Sequence, residues 1–121
     1  MKIKYINGEE IPIEEETGIQ RLELRKDENK IYITIIKNIE YNLNKSELLD
    51  EAFKLINENT PNKKYNKEIR DIFIGFYKNY NYKDYLDKIE WNKNFTFPFT
   101  FNDKNYKDFK SPADLIFNFK N

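Results

Sequence analysis

Three carboxylates, Asp84, Asp87 and Glu90, recur every third residue. That spacing brings acids to roughly one side of a helix, the kind of set from which a Mg²⁺ or Ca²⁺ site or a carboxylate-dependent enzyme is built. No Gly-bearing calcium loop and no second acidic motif accompanies them, so a solvated helix surface is the preferred reading. Other reactive types are missing. The chain holds no histidine and no cysteine among its 121 residues. His-based triads, thiol nucleophiles, Cys/His zinc sites, haem ligation through His or Cys and iron–sulfur clusters are therefore excluded. Carboxylate, lysine, Ser/Thr or Tyr chemistry remains, or no chemistry. Glycine occurs only at Gly8, Gly18 and Gly75, too sparsely for a phosphate-cradling loop, and the usual nucleotide and hydrolase motifs are absent. The expectation is a protein that is not an enzyme and uses no cofactor and no metal.

Three features point to binding instead. Glu9, Glu10, Glu14, Glu15 and Glu16 place five carboxylates within eight residues, where mutual repulsion demands solvent or a cationic partner. They suit a partner protein with a basic surface, such as a nuclease cleft, and steer association more than they strengthen it. The structural alternative is a charged edge loop that blocks sheet-to-sheet aggregation. Tyr77, Tyr80, Tyr82 and Tyr85 lie among Lys63, Lys64, Lys67, Arg70, Lys78 and Lys83. Interleaved rings and cations serve single-stranded nucleic acid, but tyrosine also anchors protein interfaces. Asp71, Asp84 and Asp87 interrupt the positive field, so a protein interface is favoured over nucleic acid, and ordinary helix packing is the alternative to both. Phe95, Phe97, Phe99 and Phe101 share one face of an extended segment. They bury under helices or, on an edge strand, accept a partner's strand. The predicted partner-binding residues are Glu10, Glu14, Glu15 and Glu16 for electrostatics and Tyr80, Tyr82 and Tyr85 as anchors.

Elements must hold these residues in place. At 121 residues the chain makes one domain, spanning 1–121. It is 39% hydrophobic and 35% charged, with zero formal net charge and a mean hydropathy of −0.91. Such polarity is offset by 17% aromatic residues, each ring removing ~150–250 Å² from water when buried. Disorder is disfavoured by the same count. Residues 1–60 carry a net −4 and residues 61–121 a net +4, and 16 of the 20 aromatics follow residue 60. A zero total argues against a bulk polyanion binder and against a nucleic-acid mimic.

Residues 2–6 and 9–13 read as a hairpin around Asn7-Gly8, with Pro12 confining the return strand to an edge. Residues 19–26 alternate, and 30–37 (KIYITIIK) are the clearest strand. Ile39, Tyr41 and Leu43 alternate as a further strand. Asn44 with Glu47 forms a capping box that opens a helix over 45–58. A second helix starts near Lys63, breaks at 79–82, and is followed by a short third helix around Tyr82, Tyr85, Leu86 and Ile89. Residues 95–101 form a late edge strand with Pro98. Ser111-Pro112-Ala113-Asp114 has the residues of a helix start, predicting a short C-terminal helix that docks Leu115, Ile116, Phe117 and Phe119.

The fold class is therefore α+β: an N-terminal antiparallel β-meander packed against two or three helices, a late edge strand and a short C-terminal helix. No apolar leader opens the chain, and no run reaches the ~18 apolar residues a membrane helix needs, which makes the cytoplasm the expected compartment and a membrane partner unexpected. Lys, Asn, Ile, Tyr and Phe supply 70 residues. Their AT-rich codons fit a low-GC bacterium or a mobile element. Size, coding bias and scarcity of catalytic types are similar to those of small immunity and inhibitor proteins carried beside bacterial toxins or by phages. The likeness is one of composition, rests on no motif and transfers no site residues. It implies toxin neutralisation, or inhibition of a defence or host factor, by surface occlusion. The alternative is a nucleic-acid-binding accessory protein using the Tyr/Lys-rich helical region.

Overall fold

The computed structural model describes residues 2–6, 9–13, 18–28, 30–59, 64–97 and 114–121. Strands β1 (Lys2–Ile6) and β2 (Glu9–Ile13) pair antiparallel, with Ile6 opposite Glu9. Strand β3 (Ile19–Asp27) pairs antiparallel with β4 (Lys30–Lys37). Glu28, at φ 54°, takes the left-handed conformation in the turn between them. A bulge between Ile19 and Arg21 shifts the register, so that Ile19 is buried together with Leu22 and Leu24. The β1–β2 pair forms its own small sheet and lies beside β3.

Helices α1 (Lys45–Asn59) and α2 (Lys64–Asn79) follow, then a 3₁₀ helix (Tyr82–Lys88). The capping box at the start of α1 is formed. The Glu47 N–H donates to Asn44 Oδ1 at 2.8 Å, and the Asn44 N–H donates to Glu47 Oε1 at 3.1 Å. Strand β5 (Asn94–Phe97) is the late edge strand and begins within a residue of its predicted start. Pro98, Phe99 and Phe101 of that prediction lie outside the described residues.

Two expected elements are replaced. Ile39, Tyr41 and Leu43 do not form a strand. The Asn38 side chain accepts the Glu40 N–H at 3.1 Å, and its carbonyl accepts the Tyr41 N–H at 3.0 Å. This local turn takes the donors a ladder would use and leaves Ile39 79% exposed. At the C-terminus, Asp114–Lys120 is strand β6, not a helix. It lies parallel to β4 and antiparallel to β5 in the order β3-β4-β6-β5. Ser111–Ala113, which suggested the helix start, lie outside the described residues. The alternation of Leu115, Phe117 and Phe119 prevails because an interior slot between two strands buries all three completely. The sheet is mixed, and α1, α2, the 3₁₀ helix and β5 make the long crossover that a parallel β4–β6 pair requires.

One face of this sheet meets the helices. Leu22, Leu24, Ile31, Ile33, Ile35, Leu115, Phe117 and Phe119 join Leu48, Leu49, Ile56, Ile69, Phe73 and Phe76 in one core. Phe76 stands at its centre, 4.9 Å from the Phe97 ring and 5.1 Å from Phe117, while Phe97 and Phe117 meet edge to face at 4.9 Å. The other face carries Tyr32, with the Arg25 guanidinium 4.0 Å above its ring, and the half-buried Thr34, Ile36 and Asn118. Gly18 is buried where β3 begins; its carbonyl accepts the Asn38 N–H at 2.8 Å, and a Cβ there would collide with the Leu43 side chain.

Phe76→Ala is expected to lower the unfolding free energy by ~3–5 kcal/mol, and Gly18→Ala by ~1–3 kcal/mol through the enforced shift of Leu43. Urea unfolding followed by circular dichroism measures both. A Phe76→Ala chain as stable as the wild type contradicts the central place given to that ring.

Candidate functional site

The end of α2 decides where the tyrosines go. Asn79 donates its side-chain amide to the Gly75 carbonyl at 3.1 Å, and the Tyr80 N–H still reaches Phe76 at 3.0 Å. The chain then turns at Asn81 into the 3₁₀ helix, carrying Tyr82 back under α2. Tyr82 is 7% exposed. Its ring lies 5.4 Å from Tyr77 and 5.9 Å from Phe76, and Tyr77 stacks on Phe53 at 4.1 Å. The Tyr82 and Tyr77 hydroxyls both donate to Asp50 Oδ1, at 3.1 and 2.8 Å, tying α1, α2 and the 3₁₀ helix to one carboxylate oxygen. Tyr80 stacks on Phe76 at 5.4 Å, and Tyr85 packs 5.5 Å from Tyr80 and 6.0 Å from Phe97.

Two of the tyrosines predicted as anchors, Tyr80 and Tyr85, are thus half-buried on the core, and Tyr82 belongs to it. Burial holds the Tyr82 hydroxyl well above the usual phenol range, and its bond to Asp50 adds to that. Tyr77 is raised by burial and then by the same carboxylate. Tyr80 is pushed up to about 12, first by burial and then by the neighbouring Tyr85 hydroxyl. Of the cations read with these rings, those whose side chains are described have other surroundings. Arg70 bonds Asp71 at 3.1 Å and Asn57 at 3.0 Å, Lys78 points to solvent, and Lys63 lies outside the described residues.

Glu10 sits in β2, opposite Tyr5 in the backbone register. Glu14, Glu15 and Glu16 lie outside the described residues. Asp84, Asp87 and Glu90 have separate neighbours. Asp84 accepts the Asn81 amide at 2.6 Å. Glu90 pairs with Lys93 at 2.6 Å, which lowers its pKa and raises that of the lysine. Asp87 faces a groove. Among the described residues no group of three or more acids is placed to hold a metal ion, and no helix is long and apolar enough to cross a membrane.

That groove is an open concave surface on the described residues. It has a volume of ≈ 530 Å³ and is open to solvent; Lys45 and Ser46 of the first turn of α1, Lys83, Leu86 and Asp87 of the 3₁₀ helix, and Trp91 line it. Trp91 is held from three sides. Its indole meets the Phe119 ring edge to face at 6.1 Å. Asn92, at φ 65°, takes the left-handed conformation that Asn tolerates, and its N–H donates to the Phe119 carbonyl at 2.7 Å. The Lys37 and Lys45 ammoniums lie 5.3 and 5.4 Å from the ring centroid, within cation–π range, and Lys45 also donates to the Ile89 carbonyl. The positive end of the α1 dipole adds the same sign. The arrangement has no nucleophile with an activating base; it can offer a flat apolar ring beside cations. Sequence reading passed over Trp91. Its one signal was a lone tryptophan in the polar run Glu90-Trp91-Asn92-Lys93-Asn94.

The chain matches no protein-family description, no curated protein and no solved structure.

The raised tyrosines make stability alkali-sensitive. A phenol that holds its proton more tightly when folded contributes its full stabilisation below the ordinary pKa of ~10. That contribution is lost as pH rises from there, because the unfolded chain ionises first. The urea midpoint is expected to be flat from pH 7 to 9 and to fall above pH ~10, and Tyr82→Phe should flatten the fall. Asp50→Asn should cost ~1–2 kcal/mol at pH 7, from two hydroxyl bonds to a charged acceptor. A fall of equal slope in Tyr82→Phe contradicts the assignment.

Proposed function

We propose that this chain is a small cytoplasmic protein-binding inhibitor, immunity-protein-like, that neutralises a partner protein (a toxin or a defence or host factor) by covering its surface. The observation that carries the reading is Trp91: a partly buried indole held by Phe119, the Asn92 backbone and two lysine ammoniums, at the wall of an open groove. Binding surfaces favour rigid aromatic anchors, because little side-chain freedom is lost on association. The surrounding core of phenylalanines and tyrosines supplies the rigidity, and the residue types present supply little means of turnover. Within this reading the acidic residues Glu10, Glu14, Glu15 and Glu16 steer the chain toward a basic region of the partner. Within the same reading Tyr80, Tyr82 and Tyr85 are the aromatic anchors, of which Tyr80 and Tyr85 are the less buried.

A second reading has one observation in its favour. Lysines flanking an indole also suit single-stranded nucleic acid, which stacks bases on aromatic rings and pairs phosphates with cations. A gel shift at ~50 mM salt that collapses by ~200 mM is the signature of phosphate contacts; the protein-binding reading expects no shift at either.

Affinity capture from the native host is expected to recover one protein at 1:1 stoichiometry, and Trp91→Ala to weaken that complex by ~2 kcal/mol or more, the loss typical of a central anchor. Calorimetry on the purified pair measures it. Absence of any stoichiometric protein counts against the whole reading. So does measured turnover of a substrate that a single Asp, Glu or Lys substitution abolishes.

A further inference from the structure

The walls of the Trp91 groove differ in charge, and the difference selects what enters. Lys45 of α1 and Lys83 of the 3₁₀ helix both line the groove, and Lys37, outside the lining, lies against the Trp91 ring together with Lys45. Asp87 is the one carboxylate on the lining. Of the other acids nearby, Asp84 is bonded to Asn81 and Glu90 to Lys93, although the Glu90 charge also reaches Lys45. Trp91 and the edge of the buried Leu86 give the lining its apolar part. The surface is thus complementary to a short segment bearing negative charge on either side of an apolar side chain.

We infer that the groove binds an acidic segment of the partner protein, with carboxylates meeting Lys45, Lys83 and Lys37 and an apolar side chain lying on Trp91 and Leu86. A polypeptide fits the pattern better than a nucleic-acid strand. A strand carries a phosphate at every step and gains affinity from a continuous cationic track, whereas here Asp87 interrupts the two lysines on the lining and Glu90 lies near Lys45. The inference rests on the protein-binding reading and gives it an occupant: the partner presents acids at this groove as well as a basic region to the N-terminal glutamates. A chain with halves of −4 and +4 accommodates both.

The test uses the fact that Trp91 is the sole tryptophan, so intrinsic emission reports on the groove alone. The purified full chain is titrated with a synthetic octapeptide of Asp and Glu around a central Leu, with its Asn/Gln analogue, and with a single-stranded oligonucleotide of equal charge. The acidic peptide is expected to shift or quench the emission saturably. Lys83→Glu should weaken it at least fivefold and Asp87→Asn should tighten it, with thermal midpoints unchanged because both residues are exposed. Lys37→Gln removes a second charge next to the ring and should likewise weaken the acidic peptide. Raising salt from 50 to 500 mM should weaken the peptide and leave the analogue unaffected. The inference is overturned by no saturable response, by an equal response to the neutral analogue, by indifference to both charge variants, or by tighter binding of the oligonucleotide. If a native partner is captured equally by wild type and Lys83→Glu, the acidic-segment inference fails while the protein-binding reading stands.

Discussion

Contact of Phe76 with Phe97 and Phe117 is the constraint on which the remaining structure depends. These three rings bring one helix, an edge strand and an interior strand to a single point. Aliphatic residues are scarce beyond isoleucine in so polar a chain, so large rings must supply the buried area that offsets the ordering entropy. Phe73 and Tyr80 extend the cluster along α2, and Tyr85 extends it to the 3₁₀ helix. Without β6 in the sheet, Phe117 leaves, and Phe76 and Phe97 lose the surface between them.

The same packing sorts the aromatic residues into two roles. Tyr77 and Tyr82 satisfy their hydroxyls on one oxygen of Asp50, which lets them lie against the core without an unpaired polar group. They are helix glue. Trp91 leans on Phe119 from outside and is fixed by a backbone bond to the end of β6. The position of the groove is therefore set by the sheet: β6 locates Phe119, Phe119 locates the Trp91 turn, and the turn faces the first residues of α1. Groove and core are coupled through two contacts, so a rigid interior produces a rigid indole.

Much of this was legible locally. The Asn44–Glu47 box, the alternation of β3 and β4 and the helical faces of Leu48, Leu49, Ile56, Ile69 and Phe73 each arise from residues within a few positions of one another. Their outcomes match because local preference and burial point the same way. The 39–43 segment misled because alternation alone does not make a strand when Asn38 captures the following N–H. The C-terminal segment misled for the opposite reason. Its capping residues carried a helix signal, while Leu115, Phe117 and Phe119 carried a strand signal, and the stronger energy was non-local: complete burial between β4 and β5.

Composition alone removed imidazole and thiol chemistry, set the zero net charge and required an aromatic core, because those properties belong to residue types and not to their arrangement. Which rings remain accessible is a different kind of question. Tyr82 and Trp91 are both amphipathic aromatics; Tyr82 shares a helical face with Tyr85, Leu86 and Ile89 and Trp91 sits in a polar run, but that local difference does not fix which ring is buried. Folding does so: the turn after α2 carries Tyr82 beneath the helices, and pairing of β6 with β4 holds the Trp91 turn at the rim. Accessibility depends on contacts between residues far apart in the chain, and those contacts come into being only when the sheet closes.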